Sequence, residues 1–220
     1  MIELMKSSFA FFDVDYTIIN GDSMLSMLFF AINKKPLLIF YTPIILVKIV
    51  LYFLKIIDVK NVKEAIYLPL KYLTEKELEE FYDTILLRKI TPEVMKILNF
   101  HKEQGCRIVL VSASPEVYLQ YFKKNSSIDV IIGTKLKMVD GVYTNKIHGE
   151  NCKGIEKVSR IKYYLNENNL DIDFDNSFVY SDSLSDKPML SLVKNRYKVN
   201  KNELEIGEFT WKEKSELVLY

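Results

Sequence analysis

Little in this chain speaks for a disulfide framework, a nucleic-acid surface or a metal site built on imidazole. Its 220 residues include two cysteines, Cys106 and Cys152, without C-x-x-C spacing. That scarcity suits a reducing compartment and predicts an intracellular, cytoplasmic protein. Lys and Arg number 30 against 29 Asp and Glu, a net charge of +1, so no basic stripe of the kind that binds nucleic acid is expected. The two histidines, His101 and His148, lack companion ligands and read as surface residues. Repeats and low-complexity tracts are missing, and Met1 to Ser8, with Glu3 and Lys6, runs straight into an apolar stretch rather than reading as a signal peptide. Length allows one substantial core, on the usual prior of about one to two domains.

What is present begins at Phe9-Ala10-Phe11-Phe12-Asp13-Val14-Asp15-Tyr16-Thr17. Apolar residues in a row, without alternation, predict a strand covered on both faces, with Asp13 at its carboxyl end, where open α/β sheets bind ligands. In an extended chain Asp13 and Asp15 point the same way, which is costly unless a cation neutralises them, and a hard oxygen-seeking ion such as Mg²⁺ suits the pair. The competing reading is a polar turn in which Asp15 and Thr17 cap backbone groups.

Further along, Thr74-Glu75-Lys76-Glu77 predicts a capping box, and Thr91-Pro92-Glu93 predicts a helix start, the helix closing at Gly105. Arg107 to Val111 predicts a buried strand ending at Ser112-Ala113-Ser114-Pro115. There Ser114 would cap the next helix, and the turn would expose Ser112 and its neighbouring N–H groups to an anion. Strands are expected at Val130 to Gly133, Ser177 to Tyr180 and Arg196 to Val199, a hairpin around Asp140-Gly141, and a helix from about Gly154 to Asn166. Strands alternating with helices, each strand ending in polar residues, predict an α/β fold: a doubly wound, mostly parallel sheet with an inserted helical cap. The core is expected to comprise residues 1–19 and 91–220, and the cap 20–90.

The ordered set D-V-D-Y-T at Asp13 to Thr17, V-S-A-S around Ser112, a lysine near Cys152 to Val158, and S-D-S-L-S-D at Ser181 to Asp186 resembles the haloacid dehalogenase superfamily of phosphotransferases. The resemblance spans most of the chain and implies a Rossmann-like core and a Mg²⁺-dependent phosphatase. It makes Asp13 the nucleophile and Asp15 the acid and base. Mg²⁺ would be held by Asp13, the Asp15 carbonyl and Asp182, with Asp186 as an outer partner. Ser112, Ala113 and Thr17 would meet the substrate, and a lysine would neutralise developing charge. Two lysines compete for that role. Lys157 shares a helix face with Ile161 and Leu165, which favours it, while Lys153 precedes Gly154 and is the alternative. Tyr16 and Ser181 stand where many relatives have glycine. The segment N-C-K-G-I-E-K-V with Y-S-D-S-L-S-D-K-P-M-L looks like the phosphoserine-phosphatase-like branch, and the apolar insert is similar to the phosphatidylglycerophosphatase C type.

Leu37 to Ile57 holds two charged residues, Lys48 and Lys55, and is long enough for a membrane span. The central Lys48 and the prolines Pro36 and Pro43 argue against one, leaving two expectations: a helical unit packed on itself and the sheet, or residues 25–57 lying on a membrane surface with Lys48, Lys55, Lys60 and Lys63 toward anionic headgroups. The substrate is accordingly expected to be a lipid phosphate at the membrane or a soluble phosphoserine-like metabolite. A non-catalytic, membrane-associated or regulatory module is the reading of another class. Oligomeric state is left open.

Overall fold

The computed structural model describes residues 5–199 and 206–208. β1 (Met5–Ser7) is followed by β2 (Phe9–Phe12), which is buried at every position. Its side chains alternate between two layers, Phe9 and Phe11 in one apolar cluster and Ala10 and Phe12 in the other. A strand clothed on both sides has no face on which a polar residue would be stable, which explains the unbroken apolar run.

Helices α1 (Ser23–Lys34), α2 (Thr42–Phe53), α3 (Val59–Ile66) and α4 (Glu75–Phe81) follow, with 3₁₀ turns at Pro36–Tyr41 and Leu68–Tyr72. Asp22 caps α1 by accepting the Leu25 N–H at 2.9 Å, and Asp58 caps α3 through the Asn61 N–H at 2.9 Å. The capping box at Thr74 and Glu77 is formed as the sequence predicts. The incoming and outgoing chains of this helical segment lie side by side: Asn20 N–H donates to the Lys89 carbonyl at 2.9 Å, and Ile19 pairs with Ile90.

α5 (Pro92–Glu103) starts at the Thr91 cap and gives way at Gly105, whose φ of +80° favours glycine. Then come β3 (Arg107–Pro115), α6 (Glu116–Leu119), β4 (Val130–Thr134), the hairpin β5 (Leu136–Val139) and β6 (Val142–Ile147), α7 (Ile155–Glu167), β7 (Leu170–Ile172), β8 (Phe178–Ser181), α8 (Lys187–Leu190), β9 (Asn195–Val199) and β10 (Ile206–Glu208). Asp140 and Gly141 both take positive φ, the turn expected between β5 and β6.

Six strands form the main sheet in the order β10-β9-β8-β2-β3-β4, parallel throughout except for the antiparallel edge β10. The fold is therefore the expected doubly wound α/β architecture. The chain steps from β2 outward through β3 and β4, then returns to the other side of β2 as β8 and β9. That reversal opens a crevice at the carboxyl ends of β2 and β8. α5 covers one face with Val94 and Leu98, and α7 covers the other with Val158, Ile161 and Leu165.

Four expectations are corrected. β3 runs on through Pro115, so Ser114 lies in the strand and does not cap α6. β1 pairs with β7, and β10 extends the sheet beyond the last strand expected. His101 is not a surface residue: it is 2 % exposed, because it continues the Val94 and Leu98 face of α5 onto Phe12, Phe178 and Tyr180. The Pro36–Phe53 stretch does not pack its apolar surface away, since only 11 % of it is buried.

Candidate active site

The sheet ladder carries one residue past β2, because Asp13 N–H donates to the Tyr180 carbonyl at 2.9 Å. Asp13 is thus fixed at the floor of the crevice between β2 and β8. A pocket of about 250 Å³ opens there, lined among others by Asp13, Asp15, Lys63, Ser114, Lys157 and Asp182.

Lys157 is the pivot of the floor. It projects from the first turn of α7, is 2 % exposed, and its Nζ donates to Asp13 Oδ1 and to Asp186 Oδ2, each at 2.6 Å. Asp186 Oδ2 also accepts the Ser181 hydroxyl at 2.8 Å. α7 reaches this position because Gly154, with φ +58°, turns the chain immediately before its first residue. Burial works against the ammonium ion, but Asp13 and Asp186 outweigh it and hold Lys157 above the ordinary lysine range. Asp13 goes the other way. Burial raises it, the neighbouring Asp186 and Asp15 add to that, and Lys157 only partly compensates, so it is pushed up to about 7. A floor with this much negative charge for one lysine is short of positive charge.

Asp15 faces a different environment. Its Oδ1 accepts the Ser23 N–H and its Oδ2 the Ser114 hydroxyl, both at 2.7 Å. Ser23 Oγ donates in turn to Ser114 Oγ at 2.9 Å and meets Tyr118 OH at 3.1 Å. Burial raises the Asp15 carboxyl, and the hydrogen bonds from Ser23 and Ser114 hold it back. Ser23 opens α1, so this carboxylate is tied directly to the helical segment.

Two of the other sequence-predicted residues lie elsewhere than expected. Ser112 is 1 % exposed, and its Oγ accepts the Ser114 N–H at 3.0 Å; Ala113 and Ser114 form the pocket wall in its place. Thr17 is also buried, and its hydroxyl accepts the Asp182 N–H at 3.1 Å. It therefore fastens the β8–α8 loop to the end of β2 instead of meeting a ligand. Asp182 and Lys153 both line the pocket.

The structure adds residues that the sequence reading missed. Lys63 of α3 does not point outward: its Nζ donates to the Ala113 carbonyl and to Asn151 Oδ1, each at 2.9 Å. Burial lowers it to about 8. Lys60 likewise turns inward to the Gly149 carbonyl at 2.7 Å, and Lys48 to the Asn61 carbonyl at 3.4 Å. Ser23, Ser114 and Tyr118 around Asp15 were also missed, because nothing local in the sequence links positions so far apart.

Among the described residues no cluster of three or more His, Cys, Asp or Glu side chains is arranged to hold a metal ion. The pocket wall nevertheless carries oxygen-bearing residues of the kind a hard cation takes, Asp13, Asp15 and Asp182. An ion that keeps several waters needs no larger protein cage.

The profile of the haloacid dehalogenase-like hydrolases matches residues 10–191. The chain belongs to that family. Among individual relatives, Phosphoserine phosphatase SerB1 of Mycobacterium tuberculosis (strain ATCC 25618 / H37Rv) is 29% identical over 122 residues, which is 56% of this chain and 39% of that protein. The chain thus spans about two-fifths of the length of that relative. Histidinol-phosphatase of Neisseria meningitidis serogroup C (strain 8013) is 28% identical over 152 residues, 65% of this chain and 68% of that protein. In fold, the crystal structure of a protein of unknown function from Bordetella pertussis Tohama I superimposes with a TM-score of 0.75 at 23% identity, covering 87% of this chain and 89% of the other.

Proposed function

We propose that this chain is a Mg²⁺-dependent phosphatase that hydrolyses a phosphomonoester through an aspartyl-phosphate on Asp13. The observation that carries the reading is the division of two neighbouring carboxylates between two environments. Asp13 sits on Lys157, and Asp15 sits in a separate hydroxyl network. Carboxylates placed apart in this way take different roles.

Asp13 attacks phosphorus, an oxygen–phosphorus bond forms to its carboxylate, and the bond to the leaving oxygen breaks. Asp15, protonated, gives its proton to that oxygen. It then accepts a proton from the water that attacks phosphorus and releases Asp13. Lys157 holds Asp13 in place and offsets charge on the transferring group. Ala113 and Ser114 present the end of β3 to the phosphoryl group, and Ser112 behind them braces it by accepting the Ser114 N–H. Mg²⁺ would be held by the Asp13 carboxylate, the Asp15 carbonyl and Asp182, with Asp186 behind them, and would lower the repulsion between carboxylate and phosphate. Residues 20–90 act as the cap that selects the substrate, with Lys63 as its cation on the pocket wall.

The relatives named phosphoserine phosphatase and histidinol-phosphatase support a soluble small phosphoester. The exposed apolar stretch, packed on the helix α3 that lines the pocket, supports a second reading, a phosphate carried on a lipid at the membrane surface. Asp13→Asn is expected to abolish Mg²⁺-dependent phosphate release from an aryl phosphate, and full activity in that variant would overturn the nucleophile assignment. A screen holding phosphoserine and phosphatidylglycerol phosphate then separates the two substrate readings.

A further inference from the structure

The largest feature that the hydrolytic reading leaves unused is the outer surface of Pro36–Phe53. Among the described residues this stretch is the one helical run long and apolar enough to cross a membrane. Its inner side is already committed. Leu38 enters the main core, and Ile45 packs against Val62, Ala65 and Ile66 of α3. Lys48 lies on the same side, turned to the Asn61 carbonyl. Crossing a bilayer would strip these contacts and carry Lys48 toward the hydrocarbon centre, at a cost of about 3 kcal/mol for that residue alone.

The outer side is another matter. Leu37, Phe40 and Phe53 are 77 %, 74 % and 75 % exposed, and Ile44, Val47 and Val50 between them are each at least half exposed. A continuous apolar surface of this kind is rare on a monomer without a partner. The charge pattern says which partner. From Ser23 to Ile57 the chain carries four lysines, Lys34, Lys35, Lys48 and Lys55, and no Asp or Glu. On the facing helix α4, Glu80 pairs with Lys34 and Glu77 with Lys35, so the exposed Lys55 at the end of α2 is the principal charge at the rim. A protein partner is ordinarily held by complementary polar groups around an apolar centre. This face offers a broad apolar plane with the exposed Lys55 at its edge, and the first acidic residue after it is Asp58, which is committed to capping α3.

We propose that this face docks in the plane of an anionic lipid bilayer, with α2 lying along the interface and its apolar side chains sunk below the headgroups. The docking surface does not depend on the hydrolytic reading. It bears on it, because α3, packed directly on α2, supplies Val59 and Lys63 to the pocket wall. Insertion of apolar groups dominates, and attraction of Lys55 to anionic lipid adds to it.

The test is co-sedimentation of the full chain with phosphatidylcholine vesicles, with and without phosphatidylglycerol, beside Phe40→Asp/Phe53→Asp. Both substituted side chains are exposed and outside the pocket. The unsubstituted chain is expected to bind, more tightly with phosphatidylglycerol, and high salt is expected to weaken binding without abolishing it. The double variant should lose more than about tenfold in partitioning while keeping its thermal midpoint and its hydrolysis of a soluble aryl phosphate. Failure of the unsubstituted chain to bind vesicles at low salt, or equal binding by the variant, overturns the proposal. So does a concentration-dependent dimer that the variant abolishes without vesicle binding, which makes the face a contact between copies. Vesicle binding without phosphate release would refute the hydrolytic reading and leave the docking surface standing.

Discussion

Replacing Lys157 by methionine puts the floor of the pocket to its most demanding test. The substitution keeps the buried stem and removes the charge that bridges Asp13 and Asp186. Breaking a buried ion pair by removing one partner costs about 3–5 kcal/mol, chiefly because the other partner is left as an uncompensated charge. Here two carboxylates are stranded, but Asp13 is already pushed up to about 7 and can take up a proton near neutrality. The loss should therefore sit near the lower bound, about 3 kcal/mol, or a fall of roughly 6–12 °C in thermal midpoint for a chain of this size. Urea unfolding with chelator present measures it. Asp186→Asn in the same background should recover part of the loss, since one stranded charge is gone. The penalty should also shrink in acid. Burial raises Asp13, and the variant removes the lysine that partly offsets it, so the destabilisation from this carboxyl is present at high pH and is relieved as pH falls and it takes up a proton. Phosphate release should be lost with Lys157→Met and retained with Lys153→Ala. Unchanged stability in Lys157→Met, or loss of activity in the Lys153 variant alone, would refute the reasoning.

Two further outcomes are expected. His101 is held down to about 4 by burial, against about 6.5 when unfolded. The unfolded chain therefore binds the extra proton first, and stability complete above pH 6.5 should decline by up to roughly 3 kcal/mol as pH falls toward 4. His101→Phe should remove that decline relative to the parent, at a pH-independent cost of about 1 kcal/mol for the lost bond to Tyr180; parallel urea-stability profiles for the two proteins would contradict it. Ser114→Ala removes the donor to Asp15 Oδ2, a charge-assisted bond of about 1.5–3 kcal/mol. It should cut kcat/KM by at least tenfold or so and move the alkaline limb of the pH–rate profile upward, with Ser114→Thr restoring both; an unmoved limb would show that Asp15 does not depend on this serine.

The parts legible in the sequence were those with a local physical signature. β2 announced itself because a strand between two layers tolerates no polar alternation, and Asp13 because the run stops there. The face of Lys157 followed from its spacing to Ile161 and Leu165, and the α4 start from the reciprocal needs of Thr74 and Glu77. His101 was within reach of the same reasoning: it stands seven residues after Val94 and three after Leu98, on the buried stripe of α5. What stayed hidden was contact at a distance. The Ser23–Ser114 hydrogen bond joins residues 91 apart, and the Lys63 bonds to Ala113 and Asn151 span 50 and 88. No periodicity encodes such meetings. The apolar insert misled for a related reason, since composition reports how greasy a helix is but not which side of it finds a neighbour.

The paired chains at Ile19–Asn20 and Lys89–Ile90 make a neck through which the helical segment joins the sheet. Because both ends leave from one point, the segment is closed as a loop, and Phe30, Leu38, Leu70 and Phe81 carry it into the main core. The entropy of closing such a loop grows slowly with its length, about 0.6 kcal/mol for each doubling. The turns between its helices can therefore lengthen or shorten with little effect on the folding of the sheet, whereas loss of those packed side chains would open the core. Asp13 is held from Lys157 of α7, whereas Asp15 is held from Ser23 of α1. The neck lets the turns of the insert vary in length, and Ser23 makes any shift of α1 felt at Asp15.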